Sequence, residues 1–267
     1  MSQVQNDDIR QHVRTRYKQI AIEGNSNKGC CSTGAPTNAC CGTSDEVSAK
    51  LGYSEQELSA VPQGSNLGLG CGNPQAIASI MPGEVVLDLG SGAGFDCFLA
   101  SEQTGENGMV FGVDMTPEMV SRARGNALKG GYSNVEFRLG EIEHLPIPDH
   151  SIDVIISNCV INLSPDKQQV FNEAYRALKP GGRLAVSDIV TTAELPEAIK
   201  GDLDSLASCI SGASSVDEVK GMLQTSGFID IIVELKGESR EFIKEWVSGA
   251  NLDDYIQSAT IKATKPV

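Results

Sequence analysis

The chain has 267 residues, 40% of them hydrophobic and 21% charged, which suits a globular protein of one large or two modest domains. Asp and Glu number 35 against 21 Lys and Arg, so the net charge is −14. An acidic surface repels phosphate backbones and anionic lipid, which excludes nucleic acid and membranes as expected partners. The polar N-terminus predicts no signal peptide, and no run is apolar for long enough to span a bilayer, so a cytoplasmic protein is expected.

Cysteine content is the unusual feature of the composition. Stable structural disulfides are rare in a reducing compartment, so some of the thiols are expected to bind or react. Structural zinc prefers Cys-x-x-Cys knuckles, and the sequence has none; the adjacent pairs instead suit thiol exchange or soft-metal capture. The eight cysteines are Cys30, Cys31, Cys40, Cys41, Cys71, Cys97, Cys159 and Cys209.

The first 72 residues predict a helical and cysteine-rich N-terminal region. Apolar residues at helical spacing predict an amphipathic helix over residues 1–25, and a Gly-, Ser- and Cys-rich loop follows over 24–44. Helical periodicity resumes over 45–60, and a flexible glycine-rich segment over 64–72 carries Cys71. We expect that this segment can fold over a neighbouring site.

From Val85 onward, apolar strands alternate with amphipathic helices, which predicts a mostly parallel sheet covered on both faces. This doubly wound α/β domain is expected over residues 73–190, with a C-terminal lobe over 191–267. The chain after Thr191 is predicted to be helical through Cys209 and again over Ser215–Thr225. Two later strands either complete the same sheet or belong to the lobe. The predicted strands are Val85–Leu89, Met109–Asp114, Val135–Leu139, Ile152–Asn158, Arg183–Ile189, Ile229–Leu235 and Tyr255–Lys262.

A glycine turn follows the first predicted strand, with the pattern Asp-x-Gly-x-Gly-x-Gly over residues 88–94. Glycines there permit a tight turn and close approach of a ligand to the backbone. A nicotinamide dinucleotide fingerprint needs glycine at position 95, which is Phe95. Asp114 ends the second strand, where a carboxylate can accept hydrogen bonds from ribose hydroxyls.

The turn resembles the first motif of Rossmann-like S-adenosylmethionine methyltransferases. The resemblance implies S-adenosyl-L-methionine as cofactor, with residues after the third strand beside its adenine. It also agrees with the Leu-Lys-Pro-Gly-Gly run that precedes the fifth strand. The predicted cofactor-binding residues are Asp88, Gly90, Ser91, Gly92, Gly94, Asp114, Met115, Glu141, Ile142 and Asn158.

Thiolates select soft centres, and they need an accessible, electropositive setting to ionise. Cys159 follows the fourth strand, and ligands of open α/β sheets bind outside the carboxyl ends of the strands. Cys71 and Cys209 lie in segments that are expected to form other walls of the same site. Cys97, within a predicted helix, is interpreted as a small buried hydrophobe.

The Gly-Cys-Gly around Cys71, the Ser-Asn-Cys-Val-Ile-Asn-Leu run around Cys159 and the Asp-Met pair at 114–115 resemble arsenite methyltransferases, as does Cys209 before a Ser-Gly pair. The resemblance covers about residues 60–215. It implies that Cys71, Cys159 and Cys209 bind arsenic(III), supplied as arsenite or thiol-conjugated arsenic. It further implies that Cys71 exchanges disulfides with Cys40 or Cys41, with thioredoxin or glutathione as the reductant. The role of Cys30 and Cys31 stays open.

Two alternatives compete with this prediction. A methyltransferase of a small organic substrate would keep the glycine turn and Asp114 but would not require the three thiols. A non-catalytic thiol-based binder of arsenic or another soft metal would need the thiols and no cofactor.

Overall fold

The computed structural model describes residues 3–23, 43–196, 209–244, 246 and 251–267. The predicted loop over 24–44 therefore lies almost wholly outside the described residues, together with its four cysteines, Cys30, Cys31, Cys40 and Cys41. Within the described part, no helix is long and apolar enough to cross a membrane.

One twisted sheet forms the centre of the molecule, with the strand order β3-β2-β1-β4-β5-β8-β7 in the described residues. Strands β1 to β5 are parallel, whereas β8 runs antiparallel to both β5 and β7. This confirms the doubly wound, mostly parallel sheet. The strands are β1 Val85–Leu89, β2 Met109–Asp114, β3 Val135–Leu139, β4 Ile152–Asn158, β5 Leu178–Thr191, β6 Ser214–Ser215 (paired with β5), β7 Ile229–Leu235 and β8 Ile256–Thr264.

The two C-terminal strands, which the sequence could not place, complete this sheet. Strand β8 inserts between β5 and β7, and its residue Thr260 lies opposite Ser187 of β5. The C-terminal part of the chain is thereby brought beside the carboxyl end of β5, close to where β4 also ends.

Helices cover both faces of the sheet, and each face has its own apolar core. Helices α5 and α6 pack on one face through residues such as Phe98 and Ala123, and α7 and α8 pack on the other through Phe171 and Leu223. The helices are α1 Gln3–Glu23, α2 Ser44–Lys50, α3 Glu55–Ala60, α4 Gln75–Ala78, α5 Phe95–Thr104, α6 Pro117–Gly130, α7 Lys167–Ala177, α8 Val216–Ser226 and α9 Ser239–Ile243, with 3₁₀ helices at Ile161–Leu163 and Leu252–Asp254.

Two predicted helices differ from the structure. The segment 45–60 forms two short helices because the chain turns at Gly52, where φ is +97°, and each begins with a capping box, Thr43 with Glu46 and Ser54 with Glu57. Most of the helix predicted after Thr191 lies at residues 197–208, outside the described residues; of its described parts, residues 192–193 form a bend, and residues 209–213 form turns and a bend. The helix predicted at residues 215–225 is present as Val216–Ser226.

Helix α1 lies across segments that follow the carboxyl ends of β2 and β3. Arg10 contacts Glu143 at 3.1 Å, and Lys18 contacts Glu118 at 3.0 Å. Val13, on the apolar stripe of the helix, is 1% exposed. The predicted amphipathic helix therefore buries its apolar stripe against the sheet domain, at the edge where ligands of parallel sheets bind.

Candidate cofactor and thiol site

A cleft of about 1090 Å³ opens at the carboxyl ends of β1, β2 and β4, and α1 forms part of its wall. This volume includes the open mouth of the cleft. The predicted cofactor residues that line it are Asp88, Gly90, Ser91, Gly92, Asp114, Met115, Ile142 and Asn158.

The glycine turn after β1 is built to bring backbone close to a ligand. Gly90 has φ of +69°, and a Cβ atom there would collide with Val160. Gly92 has φ of +51°, and a Cβ atom there would meet nothing within 4 Å. The hydroxyl oxygen of Ser91 is buried and has no hydrogen-bond partner in the described residues. An orphaned hydroxyl beside open space is available to a bound cofactor.

Asp114 closes the turn from the neighbouring strand. Its carboxylate accepts hydrogen bonds from the N–H groups of Gly92, at 3.0 Å, and Thr116, at 2.8 Å. Burial raises the pKa of Asp114, against the lowering effect of those two bonds. The remaining lone pairs of the carboxylate can accept hydrogen bonds from ribose hydroxyls.

The floor of the cleft is acidic. Asp88 and Asp96 are 3% and 7% exposed, and burial raises the pKa of both carboxyls. Their hydrogen-bond partners among the described residues are uncharged, namely Tyr53, Gln75, Asn158 and Cys97. Uncompensated buried acids favour a cationic ligand. S-adenosylmethionine carries a sulfonium and an ammonium group, so this set of side chains fits it.

Two predicted cofactor residues do not line the cleft. Gly94 caps α5, and a Cβ atom there would lie 2.8 Å from Phe98 and Phe137, so this glycine is needed for packing. Glu141 is directed toward α1, where it contacts Arg10 and Arg14 at 3.4 and 3.3 Å. Its neighbour Glu143 lines the cleft instead.

Several cleft residues escaped the sequence analysis, above all Arg10, Val13 and Tyr17 of α1. The sequence shows the apolar stripe of this helix, but periodicity does not show which segment of the chain the stripe packs against. Tyr17 packs against the apolar cluster around Cys159 and also against the cluster that includes Ala93 of the glycine turn. It therefore lies between the cofactor side and the thiol side of the site.

The structure brings Cys71, Cys159 and Cys209 together in one buried cluster. The Sγ atoms of Cys71 and Cys159 and a carboxylate oxygen of Asp188 lie within 4.8 Å of one another. The thiol of Cys159 also interacts with that of Cys209, which donates to the Cys159 carbonyl oxygen at 2.9 Å. Cys159 is therefore the central thiol of the three, and it alone lines the cleft.

Two of these cysteines have a left-handed backbone, with φ of +59° at Cys159 and +62° at Cys209. This conformation costs non-glycine residues about 1–2 kcal/mol, and such strain is concentrated at functional sites. The hydrogen bond from the N–H of Cys159 to the carbonyl oxygen of Ser187, at 2.8 Å, holds the turn after β4.

The three thiols are buried and do not have the accessible setting that ionisation requires. Burial raises the pKa of Cys71 to about 11. The hydrogen bond with Cys209 lowers the pKa of Cys159, but the bond with Cys71 and burial outweigh it. The bond with Cys159, then burial, raises the pKa of Cys209. Part of the apolar cover comes from distant parts of the chain, such as Val13 and Ile256, which the sequence around each cysteine does not reveal. These thiols are protonated at neutral pH.

Asn158 joins the cleft to the cysteine loop. Its Oδ1 atom accepts from the N–H of Cys71 at 3.0 Å, and its Nδ2 atom donates to the carbonyl oxygen of Gly72 at 2.9 Å and to the Tyr53 hydroxyl at 3.0 Å. The hydroxyl of Ser258 on β8 donates to the Cys71 carbonyl oxygen at 2.7 Å. The loop that was predicted to be flexible is thus held from two sides.

Cys97 lies outside the thiol cluster. It is fully buried in α5, in the core of one face of the sheet, and its Sγ atom donates to the Asp88 carboxylate at 3.3 Å.

Comparison with known proteins agrees with this geometry. A family described as a methyltransferase domain matches residues 80–227. An arsenite methyltransferase of Halobacterium salinarum is 51% identical over 97% of this chain and 67% of its own length. The human arsenite methyltransferase is 36% identical over 85% of this chain and 60% of its own length, so the chain spans about two thirds or less of these relatives.

A solved structure gives the same result. CrArsM, an arsenic (III) S-adenosylmethionine methyltransferase from Chlamydomonas reinhardtii, is 35% identical with a TM-score of 0.62, covering 87% of this chain and 75% of that one. With this fold, an acid-lined cofactor cleft and clustered thiols, the chain belongs to the arsenite methyltransferases, which use S-adenosylmethionine as methyl donor.

Proposed function

We propose that this chain methylates trivalent arsenic that is bound to Cys71, Cys159 and Cys209. The observation that carries the proposal is the contact of the central thiol, Cys159, with the other two, at the edge of the cofactor cleft. Sulfur donors in a buried, apolar cluster select a soft centre. The same arrangement does not serve an oxygen or carbon nucleophile, so no separate organic substrate is proposed.

Arsenic loading needs no net change of charge. Arsenous acid is neutral, and each As–S bond replaces one arsenic hydroxyl while the thiol hydrogen leaves with it as water. Three thiols therefore release three waters and leave a neutral tris-thiolate. The raised pKa values of the thiols suit this exchange, because protonated thiols are the reactants and no ion has to be buried.

In this proposal the glycine turn holds the cofactor together with Ser91 and Asp114. The carboxyl groups of Asp88 and Asp96 face the cationic end of the cofactor. When bound there, S-adenosylmethionine would supply its sulfonium methyl group to the arsenic lone pair, and S-adenosylhomocysteine would be the leaving group. The residues contribute orientation above all, and well-aligned groups reach effective molarities on the order of 10⁵ M or more. Tyr17 and Val13 exclude water from the space between the two halves of the site.

Methylation raises the formal oxidation state of arsenic by two, so a two-electron reduction must follow. Two arsenic-bound sulfurs supply these electrons when they join in a disulfide: two As–S bonds break, one S–S bond forms, and a water molecule gives a hydroxyl group to the trivalent arsenic and a proton to the solvent. A dithiol exchange through Cys71 and Cys40 or Cys41 then returns the thiols, and thioredoxin or glutathione is the proposed donor.

The test is one incubation of the purified chain with S-adenosylmethionine, arsenite and a thiol reductant, followed by separation of the arsenic species. Methylated arsenic is expected. The Cys97→Ser variant is the matched control, because it removes a buried thiol outside the cluster and should leave the product yield unchanged. Absence of methylated product from protein that binds the cofactor would reject the proposal.

A further inference from the structure

Asp188 is a buried acid that the proposed reaction does not use. It lies near the carboxyl end of β5 and is 2% exposed. One of its carboxylate oxygens is within 4.8 Å of the Sγ atoms of Cys71 and Cys159. Trivalent arsenic is satisfied by three sulfurs and keeps a lone pair, so it has no place for a fourth protein ligand.

We propose that Cys71, Cys159, Cys209 and Asp188 form a zinc site that competes with arsenite for the same thiols. Zinc is bound tetrahedrally by thiolate, imidazole and carboxylate groups, and three sulfurs with one oxygen are such a set. Tetrahedral Zn–S and Zn–O bonds of about 2.3 and 2.0 Å put neighbouring ligand atoms about 3.5–3.8 Å apart. The Sγ atoms of Cys71 and Cys159 and the Asp188 oxygen lie within 4.8 Å of one another, so these three need to contract by no more than about 1.3 Å. Cys209, whose thiol interacts with that of Cys159, supplies the fourth ligand.

Hydrogen bonds already hold the carboxylate in place. Asp188 accepts from the N–H of Ile161 at 3.0 Å, from the side-chain amide of Asn162 at 2.8 Å and from the N–H of Ile189 at 2.8 Å. These bonds use three of its roughly four lone-pair sites and leave one for an ion. Zinc ligands in proteins are commonly fixed by such outer hydrogen bonds.

Charge distinguishes the two ligands of the site. Arsenous acid brings no charge and gains nothing from the carboxylate, whereas a divalent cation is attracted by it. Each thiol that binds zinc gives its proton to water. Lys167 is the nearby cation that interacts with Asp188. Asp188 is thus the residue that decides between a cation and neutral arsenic at one set of thiols.

The experiment uses the full chain with Cys30, Cys31, Cys40 and Cys41 replaced by Ser, so that zinc cannot bind to the N-terminal pairs. Zn²⁺ is titrated against a chromophoric chelator, without S-adenosylmethionine or arsenite. We expect one zinc per chain, and loss of this binding on addition of arsenite. Because no methylation is involved, the result is independent of whether the proposed transferase activity is found.

The decisive variant is Asp188→Asn in the same background. Loss of an outer partner weakens zinc binding about 10–100-fold, so loss of a direct ligand should cost about 100-fold or more. Arsenite affinity should stay within about threefold, because three thiols remain. Asp153→Asn is the matched control; it removes a carboxylate at the other end of β4, where Asp153 contacts Lys179, and should not change zinc binding. Unchanged zinc affinity of Asp188→Asn would overturn the proposal.

A measurement that does not depend on the variant is X-ray absorption at the zinc edge of the Asp188-containing chain. We expect two or three sulfurs at about 2.3 Å with at least one oxygen at about 2.0 Å. Asp188→Asn could lose affinity for both zinc and arsenite because its fold is damaged. In that case the zinc-edge spectrum of the chain that retains Asp188 decides whether zinc has an oxygen ligand at this site. A shell of oxygen and nitrogen alone, or of four sulfurs, would overturn the proposal.

Discussion

The two halves of the site are built in opposite ways. The cofactor half is polar and local: β1, the glycine turn and Asp114 all come from residues 85–114. The thiol half is apolar and assembled from distant segments, with cysteines at positions 71, 159 and 209 beneath α1. One half uses backbone groups and buried acids for a cationic ligand, and the other uses uncharged thiols for an uncharged one. The two ligands are therefore recognised by independent physical means.

Cys159 lies where the two halves of the site meet, so a substitution there is the strongest test of their independence. We predict that Cys159→Ser lowers the rate of arsenic methylation about 100-fold or more, because the central thiol is lost and the reacting atom is misplaced. Affinity for S-adenosylmethionine, measured by calorimetry, should change less than about twofold. The control Cys97→Ser should change neither quantity. Loss of cofactor affinity in Cys159→Ser would show that the halves are not independent.

Asp114→Ala is the reciprocal test on the cofactor side. Hydrogen bonds to a charged group are worth about 1.5–3 kcal/mol, so the affinity for S-adenosylmethionine should fall about 10–100-fold. Arsenite binding without cofactor should remain at the level of the unchanged chain. An unaltered cofactor affinity would contradict the assigned ribose contact. Loss of arsenite binding would show that the two halves of the site depend on each other.

Asn158 sharpens the comparison because it touches both halves. We predict that Asn158→Ala lowers turnover about tenfold by releasing the Cys71 loop, while cofactor affinity changes less than about threefold. Asn126→Ala is the matched control, since Asn126 is a buried amide that donates to Ala93 of the glycine turn at 3.1 Å. Asn126→Ala should have the opposite effect, with weaker cofactor binding and little change in arsenite binding. Equal effects of both substitutions on both ligands would indicate a general loss of structure.

The smallest expected effect concerns pH. Because the pKa of Cys71 is raised to about 11 and those of Cys159 and Cys209 also lie above the ordinary thiol value, the thiols stay protonated through the neutral range. Arsenite affinity should therefore change less than about threefold between about pH 6.5 and 8.5, since no proton is released. An affinity that rises about tenfold per pH unit would mean that thiolates are formed on binding.

Sequence alone predicted the strands that carry the cofactor half of the site. The strands Val85–Leu89 and Met109–Asp114 lie at the predicted residues, because apolar runs and turn glycines are encoded next to each other. The partners of α1 and the role of Asp188 could not be predicted in this way. Their function depends on which segments meet, and periodicity carries no information on that.

The burial of the thiols could not be predicted for the same reason. Cys71 lies between two glycines, which suggests exposure, yet Ser258 and Asn158 bind its backbone and the distant residues Ile189 and Ile256 share its cluster. The placement of Asp188 had one usable signal, its position at the carboxyl end of a strand beside the one that precedes Cys159. Ligand groups gather at that edge of a parallel sheet.

The hydrogen bond between Ser258 and the Cys71 carbonyl has a consequence for biosynthesis. A ribosome makes the chain from its N-terminus at about 5–20 residues per second, so Cys71 is released well before strand β8 exists. During that interval the three clustered cysteines lack the strand that holds the first of them in place. Oxidants in the cell can therefore reach the nascent thiols more easily than those of the finished protein. Pairing of β8 with β5 and β7 then completes the support of the Cys71 loop.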